Sequence, residues 1–306
     1  GNVFTASVRS VFVALLVGAP VLVKASSKEM TFPAMTRDAL RAVNPTLGAA
    51  MDTVTFRGGD VDCEAALAER AEAVSVYGSD ETVAAMASRV GWDSLIAHGH
   101  GVSVAYCGAG ALSDARRGET IAGLSLDICA YDQRGCLSPQ LVFVETSAKQ
   151  SAEDFAVHLA EQGLAPMERT LPRGPLPRSV GAEQAQWRGV AEVEGTLIRG
   201  KSYGIAVRSA ESIRWSPGYR NVTVVPVRTI DEAFEAMIRM GGSLKCVGAD
   251  PASLSDVRAR LAENLALSAY SCPIGSMQTP ALDAPADGFP IWHGLLSPRE
   301  VTPRRR

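Results

Sequence analysis

Cysteine and histidine are scarce in this sequence, and their scarcity excludes two kinds of framework. Of 306 residues, six are cysteine and four are histidine. These cysteines are too few for a disulfide framework, and no pair has the Cys-x-x-Cys spacing of a structural zinc site. His98 and His100 lie two residues apart, while His158 and His293 are isolated. We therefore expect no metal site, and reduced thiols as in a cytoplasmic protein.

The chain also lacks a strong excess of charge of either sign. It carries 30 basic and 33 acidic residues, and its formal net charge is −3. Because Lys and Arg are scattered instead of forming a stripe, we expect no nucleic-acid partner. The one basic run, residues 303–306, is more typical of a solvated chain end than of a binding arm.

A long uninterrupted apolar run is absent as well. Residues 7–26 have an arginine followed by apolar residues, as a secretory signal does. However, Gly18, Ala19 and Pro20 break the run in its middle, and Lys24 follows. The pattern favours an apolar helix that leads into a buried strand, and the unbroken part is too short for a membrane span.

Apolar runs alternate with helical patterns along the whole chain, which predicts an α/β fold with parallel pairing. Strands are predicted at 20–23, 53–56, 74–77, 103–106, 140–145, 220–227 and 244–249. Helices are predicted at 34–42, 63–72, 81–90, 151–163, 229–242 and 250–263. Residues 164–190, rich in Pro, Arg and Gly, are predicted to form an exposed excursion.

The same alternation suggests how the chain divides. We expect an open α/β domain of the dinucleotide-binding kind over residues 1–102, a second α/β domain over 103–280 and a C-terminal tail over 281–306. The first domain has the strand–helix order of an open parallel sheet of the Rossmann type.

Cys136 stands apart from the other five cysteines. It lies in the stretch YDQRGCLSPQ (131–140), which has no hydrophobic periodicity, and follows Arg134 and Gly135. A turn of small residues keeps a thiol accessible, and a nearby cation favours the thiolate, which is the nucleophilic form. Cys136 is therefore a candidate nucleophile, although this setting does not by itself establish catalysis.

Several motifs occur in the order used by the aldehyde dehydrogenase superfamily. These are GNVF at 1–4, LVKASS at 22–27, VYGSDETV at 76–83 and GCLSPQ at 135–140. Within that superfamily, YDQRGCLSPQ together with GSMQTP and DAPADGFPIW is similar to the fatty acyl-CoA reductases of the LuxC family. The resemblance implies that residues 1–102 form a Rossmann-type cofactor domain and that residues 103–280 form an α/β catalytic domain carrying Cys136. It also implies NADPH-dependent reduction of a fatty acyl-CoA, or another acyl thioester, to the aldehyde.

The resemblance implies roles for two catalytic residues. Cys136 would attack the thioester carbonyl and become acylated. The side-chain amide of Asn2 and the backbone N–H of Cys136 would donate hydrogen bonds to the oxyanion. Taken alone, Asn2 is more typical of a turn or capping residue, and the spacing of the downstream motifs is what favours the catalytic role.

Four residues are implied in cofactor binding. Lys24 and Ser26, at the end of the first strand, would contact the adenosine ribose or its 2′-phosphate. Gly78 and Ser79 would let the diphosphate approach a helix N-terminus. From the residues alone, Lys24 is also explained as a lysine whose amine reaches solvent from a strand end. Ser79 is likewise explained as a plain N-cap.

Ser27 bears on the choice of cofactor. At this position, three residues after the lysine, NAD-preferring relatives often carry a glutamate that binds the ribose hydroxyls. A serine does not repel a 2′-phosphate as a carboxylate would. The sequence therefore favours NADPH, with NADH as the other candidate.

The stretch 96–106 contains no carboxylate, whereas hydrolytic relatives carry a glutamate there to activate water. Without such a base, an acyl-enzyme would persist until a thiol or a hydride resolves it, which favours acyl-thioester reduction. His98 or His100 is a candidate base, but packing beside glycines is the commoner role of such histidines.

Two departures from the family pattern leave rival functions open. The chain starts at the asparagine motif, so we expect preceding elements to be missing, and no cofactor glutamate is evident in 216–225. The rivals are a coenzyme-A-acylating aldehyde dehydrogenase acting on short acyl groups and a non-catalytic subunit of the same fold. Expected partners are an acyl-CoA or acyl-protein thioester, a second copy of the chain or an acyl-transfer subunit.

Overall fold

The computed structural model describes residues 3–27, 29–147, 150–211, 213–240, 244–264, 267 and 269–296. These residues divide into two compact units. The first comprises the described residues up to His100, Leu282–Pro285 and the described residues from Phe289 onward. The second comprises the described residues of Gly101–Ala281 together with Ala286–Gly288.

The first unit begins with the helix-to-strand passage predicted for residues 7–26. Helix α1 (Val8–Leu16) ends before Gly18, whose φ of 82° suits glycine, and strand β1 (Val21–Lys24) follows. Val11 and Leu15 of α1 are buried in one apolar cluster with Met51. The apolar run therefore forms a core helix and a strand of this unit, as the sequence predicts.

Strands and helices then alternate as predicted. The remaining elements are α2 (Thr31–Val43), α3 (Pro45–Ala49), β2 (Met51–Val54), α4 (Val61–Ala68), β3 (Val74–Tyr77), α5 (Asp80–Val90), β4 (Leu95–His98) and a short helix at His293–Leu296. β1 pairs with β2 and β3 with β4, both in parallel. β2 lies two residues earlier than predicted.

The second unit is built on a seven-stranded sheet. Its elements are β5 (Val102–Cys107), α6 (Arg117–Cys129), β6 (Pro139–Glu145), α7 (Ala152–His158), α8 (Ala165–Thr170), α9 (Arg178–Glu194), β7 (Thr196–Arg199), β8 (Gly204–Val207), β9 (Asn221–Val227), α10 (Ile230–Met240), β10 (Leu244–Ala249), α11 (Leu254–Glu263) and β11 (Tyr270–Pro273). The strand order is β11-β10-β5-β6-β9-β8-β7, and every pairing is parallel except β7 with β8.

Both faces of the central strands are buried, as is usual in parallel sheets. Residues of β5 alternate between the two faces, because side chains in a strand point to opposite sides. Ala105 and Cys107 lie in the cluster covered by α6 and α7, while Val104 and Tyr106 lie in the cluster covered by α10.

The prediction of an exposed excursion at residues 164–190 is wrong. This region contains α8 and α9, and α9 buries Gln184, Trp187 and Ala191 along one side. Pro166 lies in the first turn of α8 and Pro177 is the N-cap residue of α9. Proline is tolerated at these positions because the first N–H groups of a helix have no intrahelical partner. The prolines therefore delimit helices here instead of excluding them.

A buried carboxylate ties α6 to the turn that follows β11. Asp127 has no exposed surface; its Oδ2 accepts a hydrogen bond from the N–H of Gly275 at 2.5 Å and its Oδ1 from Met277 at 3.0 Å. One turn earlier in α6, a Cβ on Gly123 would lie 3.2 Å from the Gly275 backbone, so glycine permits this approach. Burial raises the pKa of Asp127 to about 6, although hydrogen bonds from the backbone N–H groups oppose the rise.

Asp127→Asn is expected to lower the free energy of unfolding by about 1–3 kcal/mol, because the amide nitrogen would face backbone N–H donors. The folded-state pKa lies above the ordinary value of 3.8. The contribution of Asp127 is therefore complete below that value and declines as pH rises through about 6. Urea unfolding at acidic and neutral pH should show a wider gap between native protein and variant in acid.

The exposed Asp114 provides the control, since Asp114→Asn should leave both unfolding curves nearly unchanged. A gap that is equal at the two pH values, or wider at neutral pH, would contradict this account of Asp127.

Candidate active site

Cys136 lies in the turn between α6 and β6 of the second unit. All six cysteines are among the described residues, none forms a disulfide, and Cys136 is the one whose side chain is exposed. The turn is closed by a hydrogen bond from the N–H of Ser138 to the carbonyl of Gly135 at 3.0 Å. This thiol is therefore accessible to a substrate from solvent.

The buried cysteines are poorly suited to act as nucleophiles. Burial raises the pKa of Cys107 far above its usual value and that of Cys129 to about 11. The hydrogen bond with Cys272 is the largest cause that raises the pKa of Cys246, and burial raises it further. Because the thiolate is the reactive form, these thiols are inert at neutral pH. Only packing roles are expected of these buried thiols.

An unusual backbone segment precedes the exposed cysteine. Tyr131, Asp132 and Gln133 have φ angles of 52°, 54° and 57°, in the left-handed region. For residues with side chains this conformation is unfavourable and persists only where the surroundings hold it. The sequence gives little sign of it, since none of the three is glycine or asparagine.

An ion pair holds this left-handed segment in place. Arg220, which is 2% exposed, donates from Nη2 and Nε to Oδ1 of Asp132 at 2.6 and 3.0 Å. Its Nη1 donates to the carbonyl of Leu171 at 2.6 Å. The other oxygen of Asp132 accepts the N–H of Gly174 at 2.9 Å. The buried guanidinium is thus paired and hydrogen-bonded, as a buried charge must be.

Gln133 supplies a second attachment. Its buried amide nitrogen donates to the carbonyls of Pro139 and Asn221, both at 2.7 Å. Tyr219 and Arg220, just before Asn221, have φ angles of 53° and 69°. Two left-handed segments far apart in sequence are therefore bonded to each other, and they fix the start of the loop that carries Cys136.

Arg134 contributes to the same loop. Its side chain is exposed, and its Nε donates to the carbonyl of Tyr131 at 3.3 Å. The cation predicted to favour the thiolate thus lies two residues before Cys136 and is bonded to the left-handed segment. The resemblance also implies a catalytic role for Asn2, which lies outside the described residues.

The predicted cofactor residues lie in the first unit, at the carboxyl ends of parallel strands. Lys24 ends β1, and its Nζ lies 5.1 Å from the centroid of the Phe56 ring, within range of a cation–π interaction. Ser26 forms an isolated antiparallel bridge with Glu29. The carboxyl ends of parallel strands are where open α/β sheets bind ligands. A cation and hydroxyl at this edge are chemically suited to a ribose or a phosphate.

Gly78 and Ser79 link β3 to α5. Ser79 is the N-cap of α5, and its hydroxyl accepts the N–H of Thr82 at 3.4 Å. A Cβ at Gly78 would lie 2.9 Å from side-chain carbons of Thr82, so the close turn requires glycine. The structure therefore shows Ser79 as the N-cap of α5. A cofactor role for the pair stays a prediction.

A carboxylate that sequence reasoning missed lies near Ser27. Glu29 accepts the N–H groups of Thr31 and Phe32 on one oxygen, at 3.0 and 2.8 Å. These are the first N–H groups of α2, which favour a negative charge. Ser27 itself is exposed. The Lys-x-x-Ser spacing points to Ser27 as the position that selects the cofactor. Glu29, two residues later, falls outside that spacing, and its carboxylate is hydrogen-bonded to the N-terminus of α2.

The stretch 96–106 contains the last three residues of β4 and the first five of β5. The His98 ring stacks on Tyr77, with centroids 4.2 Å apart, which fits a packing role. The backbone N–H of His100 donates to Oδ1 of Asp80 at 3.0 Å. A carboxylate from the start of α5 therefore reaches this segment, which the sequence alone did not indicate.

Among the described residues, no group of three or more His, Cys, Asp or Glu side chains is placed to hold a metal ion. Across that same part of the chain, no helix has both the length and the apolar character needed to cross a membrane.

Solved structures with a similar fold include aldehyde dehydrogenases. The NAD-dependent aldehyde dehydrogenase from Burkholderia multivorans aligns with a TM-score of 0.63 at 13% identity, over 90% of this chain and 54% of its own. The salicylaldehyde dehydrogenase from Pseudomonas putida G7, complexed with salicylaldehyde, gives 0.67 at 14% identity, over 92% and 60%. A methylmalonate-semialdehyde dehydrogenase from Sinorhizobium meliloti 1021, complexed with NAD, gives 0.60 at 14%, over 82% and 55%.

These likenesses confirm the predicted aldehyde-dehydrogenase-like α/β fold, and the chain spans between 54% and 60% of the length of these three proteins. No curated protein matches the sequence. The family model for acyl-CoA reductase (LuxC) matches residues 1–292, nearly the whole chain. The protein therefore belongs to the LuxC family of acyl-CoA reductases.

Proposed function

We propose that this protein reduces a fatty acyl thioester, carried by coenzyme A or by an acyl-protein, to the aldehyde through an acyl-Cys136 intermediate. The observation that carries the proposal is the exposure of Cys136 on a loop that an ion pair and buried hydrogen bonds hold rigid. Membership of the acyl-CoA reductase family supports the choice of a thioester substrate.

The first step is acyl transfer. The Cys136 thiolate attacks the carbonyl carbon and forms a new C–S bond. The bond to the donor sulfur then breaks, and that sulfur leaves with the electron pair as coenzyme A thiolate. The backbone N–H of Cys136 and the amide of Asn2 are proposed to stabilise the oxyanion between these events. Loss of one such donor typically costs about 10²–10³ in rate.

The second step requires two electrons. A bound reduced nicotinamide dinucleotide would supply a hydride to the acyl carbon. The bond from that carbon to Sγ of Cys136 then breaks, the sulfur keeps the electron pair as the Cys136 thiolate, and the aldehyde is released. We propose that Lys24, Ser26, Gly78 and Ser79 hold this cofactor in the first unit. The cation at the end of β1 and the N-terminus of α5 suit a phosphorylated ligand.

NADPH is the proposed cofactor. Ser27 is exposed and uncharged, and the nearby carboxylate of Glu29 is hydrogen-bonded to the N-terminus of α2. A 2′-phosphate near Lys24 would therefore be attracted by the ammonium group, and no acidic residue at position 27 would repel it. NADH is the alternative.

The cytoplasm is the proposed location. All six thiols are outside disulfides, which fits a reducing compartment. A second copy of the chain or a separate acyl-transfer subunit is the proposed macromolecular partner. An acyl-transfer subunit would deliver the acyl group as a protein-bound thioester in place of acyl-CoA.

Cys136→Ser is expected to lower acyl transfer by several orders of magnitude, as nucleophile loss usually does. Peptide mapping by mass spectrometry after incubation with a long-chain acyl-CoA should find the acyl mass on the peptide holding Cys136 in the native protein. It should be absent from the variant, while nucleotide binding and folding are retained.

Cys129→Ser is the matched control, because Cys129 is buried and should remain unlabelled in the native protein. Acyl mass on Cys129 would overturn the assignment of the nucleophile. Labelling at Cys136 by short acyl groups alone would favour the coenzyme-A-acylating dehydrogenase.

Acyl-enzyme formed without reduced cofactor should hydrolyse slowly, because residues 96–106 contribute no carboxylate to activate water. Added free coenzyme A should recapture the acyl group and regenerate acyl-CoA. Chromatography of the released products measures both routes. Rapid release of fatty acid would reveal a base for water, and Asp80→Asn would then show whether the carboxylate near His100 supplies it.

Ser27→Glu should shift cofactor preference from NADPH toward NADH, because a carboxylate repels the 2′-phosphate and accepts hydrogen bonds from ribose hydroxyls. Calorimetric titration of both cofactors into the native protein and the variant measures the shift. Ser88→Glu, on the exposed side of α5, adds the same charge and should leave the ratio of affinities unchanged. Tight binding of NADH and weak binding of NADPH to the native protein would contradict the proposal.

A further inference from the structure

We propose that Ser103 is a positioning residue for Cys136, holding the backbone of the nucleophile so that acyl transfer can occur. The inference rests on the proposed function for its catalytic consequence. Its structural basis is a direct bond between a buried side chain of the sheet and the Cys136 residue itself.

Ser103 is the second residue of β5 and has no exposed surface. Its hydroxyl donates to the backbone carbonyl of Cys136 at 2.6 Å, across 33 positions of sequence. A buried hydroxyl with such a partner is satisfied, and losing the partner leaves a polar group unpaired. The bond therefore links the middle of the Cys136 loop to a rigid strand.

The position of this bond follows from the start of the β5–β6 pairing. Ser103 is opposite Pro139, and the register shifts between Ser103 and Val104. Proline has no N–H and cannot donate a ladder hydrogen bond. At this end of the strand pair, the side chain of Ser103 supplies a hydrogen bond to the loop that precedes Pro139.

The rest of the loop is fixed on either side of Cys136. Before it, Asp132 is bonded to Arg220 and Gln133 to the Pro139 carbonyl. After it, β6 begins at Pro139. The Ser103 bond then orients the peptide group that follows Cys136, which restricts the ψ angle of the nucleophile. Through that angle it limits where the thiol lies relative to the backbone N–H that would face the oxyanion.

Other buried serines show that burial alone does not produce such a bond. The hydroxyls of Ser125 and Ser138 are also buried, yet neither has a hydrogen-bond partner within the described residues. Ser138 belongs to the same loop, and Ser125 lies in α6. They are matched controls, because replacing them with alanine removes a buried hydroxyl without removing a bond to Cys136.

The experiment compares Ser103→Ala with Ser125→Ala and Ser138→Ala by three measurements. The first is the single-turnover rate of Cys136 acylation by a long-chain acyl-CoA, followed by intact-protein mass. The second is the rate of Cys136 alkylation by iodoacetamide. The third is amide hydrogen exchange of peptides covering residues 131–140.

In Ser103→Ala, acylation should fall about tenfold or more, because catalysis is sensitive to small misplacements of reacting groups. Alkylation needs only an accessible thiolate and should stay within about twofold. Exchange over 131–140 should be faster than in either control. Should Ser103→Ala not fold, Ser103→Cys keeps a similar volume with a weak hydrogen-bond donor. It should show the same pattern of slower acylation, nearly unchanged alkylation and faster exchange, with smaller effects.

Exchange equal to that of Ser138→Ala would overturn the inference whatever the activity. Faster exchange with unchanged acylation would also overturn it, since the bond would then be structural only. A native protein that is never acylated would defeat the proposed function instead. In that case exchange alone decides whether Ser103 holds the loop, with faster exchange supporting it and unchanged exchange overturning it.

Discussion

Three consecutive residues with side chains adopt the left-handed conformation just before Cys136, and the ion pair between Arg220 and Asp132 keeps them there. Without it, the unfavourable backbone would relax and the buried guanidinium would lose its charged partner. The Gln133 amide joins the same two segments through Asn221. The accessibility of the thiol and the rigidity of its loop both depend on this contact between residues 88 positions apart.

The seven-stranded sheet supplies the frame for that contact. β6 and β9 are adjacent and parallel, so the loops that enter them meet at the amino ends of the two strands. One of these loops carries Cys136 and the other carries Arg220. β5, on the far side of β6, contributes Ser103 to the same loop. The central strands can place these two loops and Ser103 consistently because both of their faces are buried.

The sequence predicts the strands well where hydrophobic patterns are local. β3 occupies the predicted residues 74–77, and the break at Gly18 separates helix from strand as expected. The exposure of Cys136 is predictable from its polar, glycine-containing setting. The left-handed segment is not, because its cause is an arginine far along the chain. The prolines near α8 and α9 misled the prediction, since the same residue suits a loop and a helix start equally.

Rapid-quench analysis of a single turnover with acyl-CoA and NADPH distinguishes an acyl-Cys136 route from direct reduction of the thioester, with intact-protein mass, cofactor oxidation and aldehyde followed together. Acyl-Cys136 should accumulate first and then decay at the rate of cofactor oxidation, with equal amounts of aldehyde appearing. Aldehyde formed at full rate with no acyl mass on Cys136 at any time would contradict the acyl-Cys136 route.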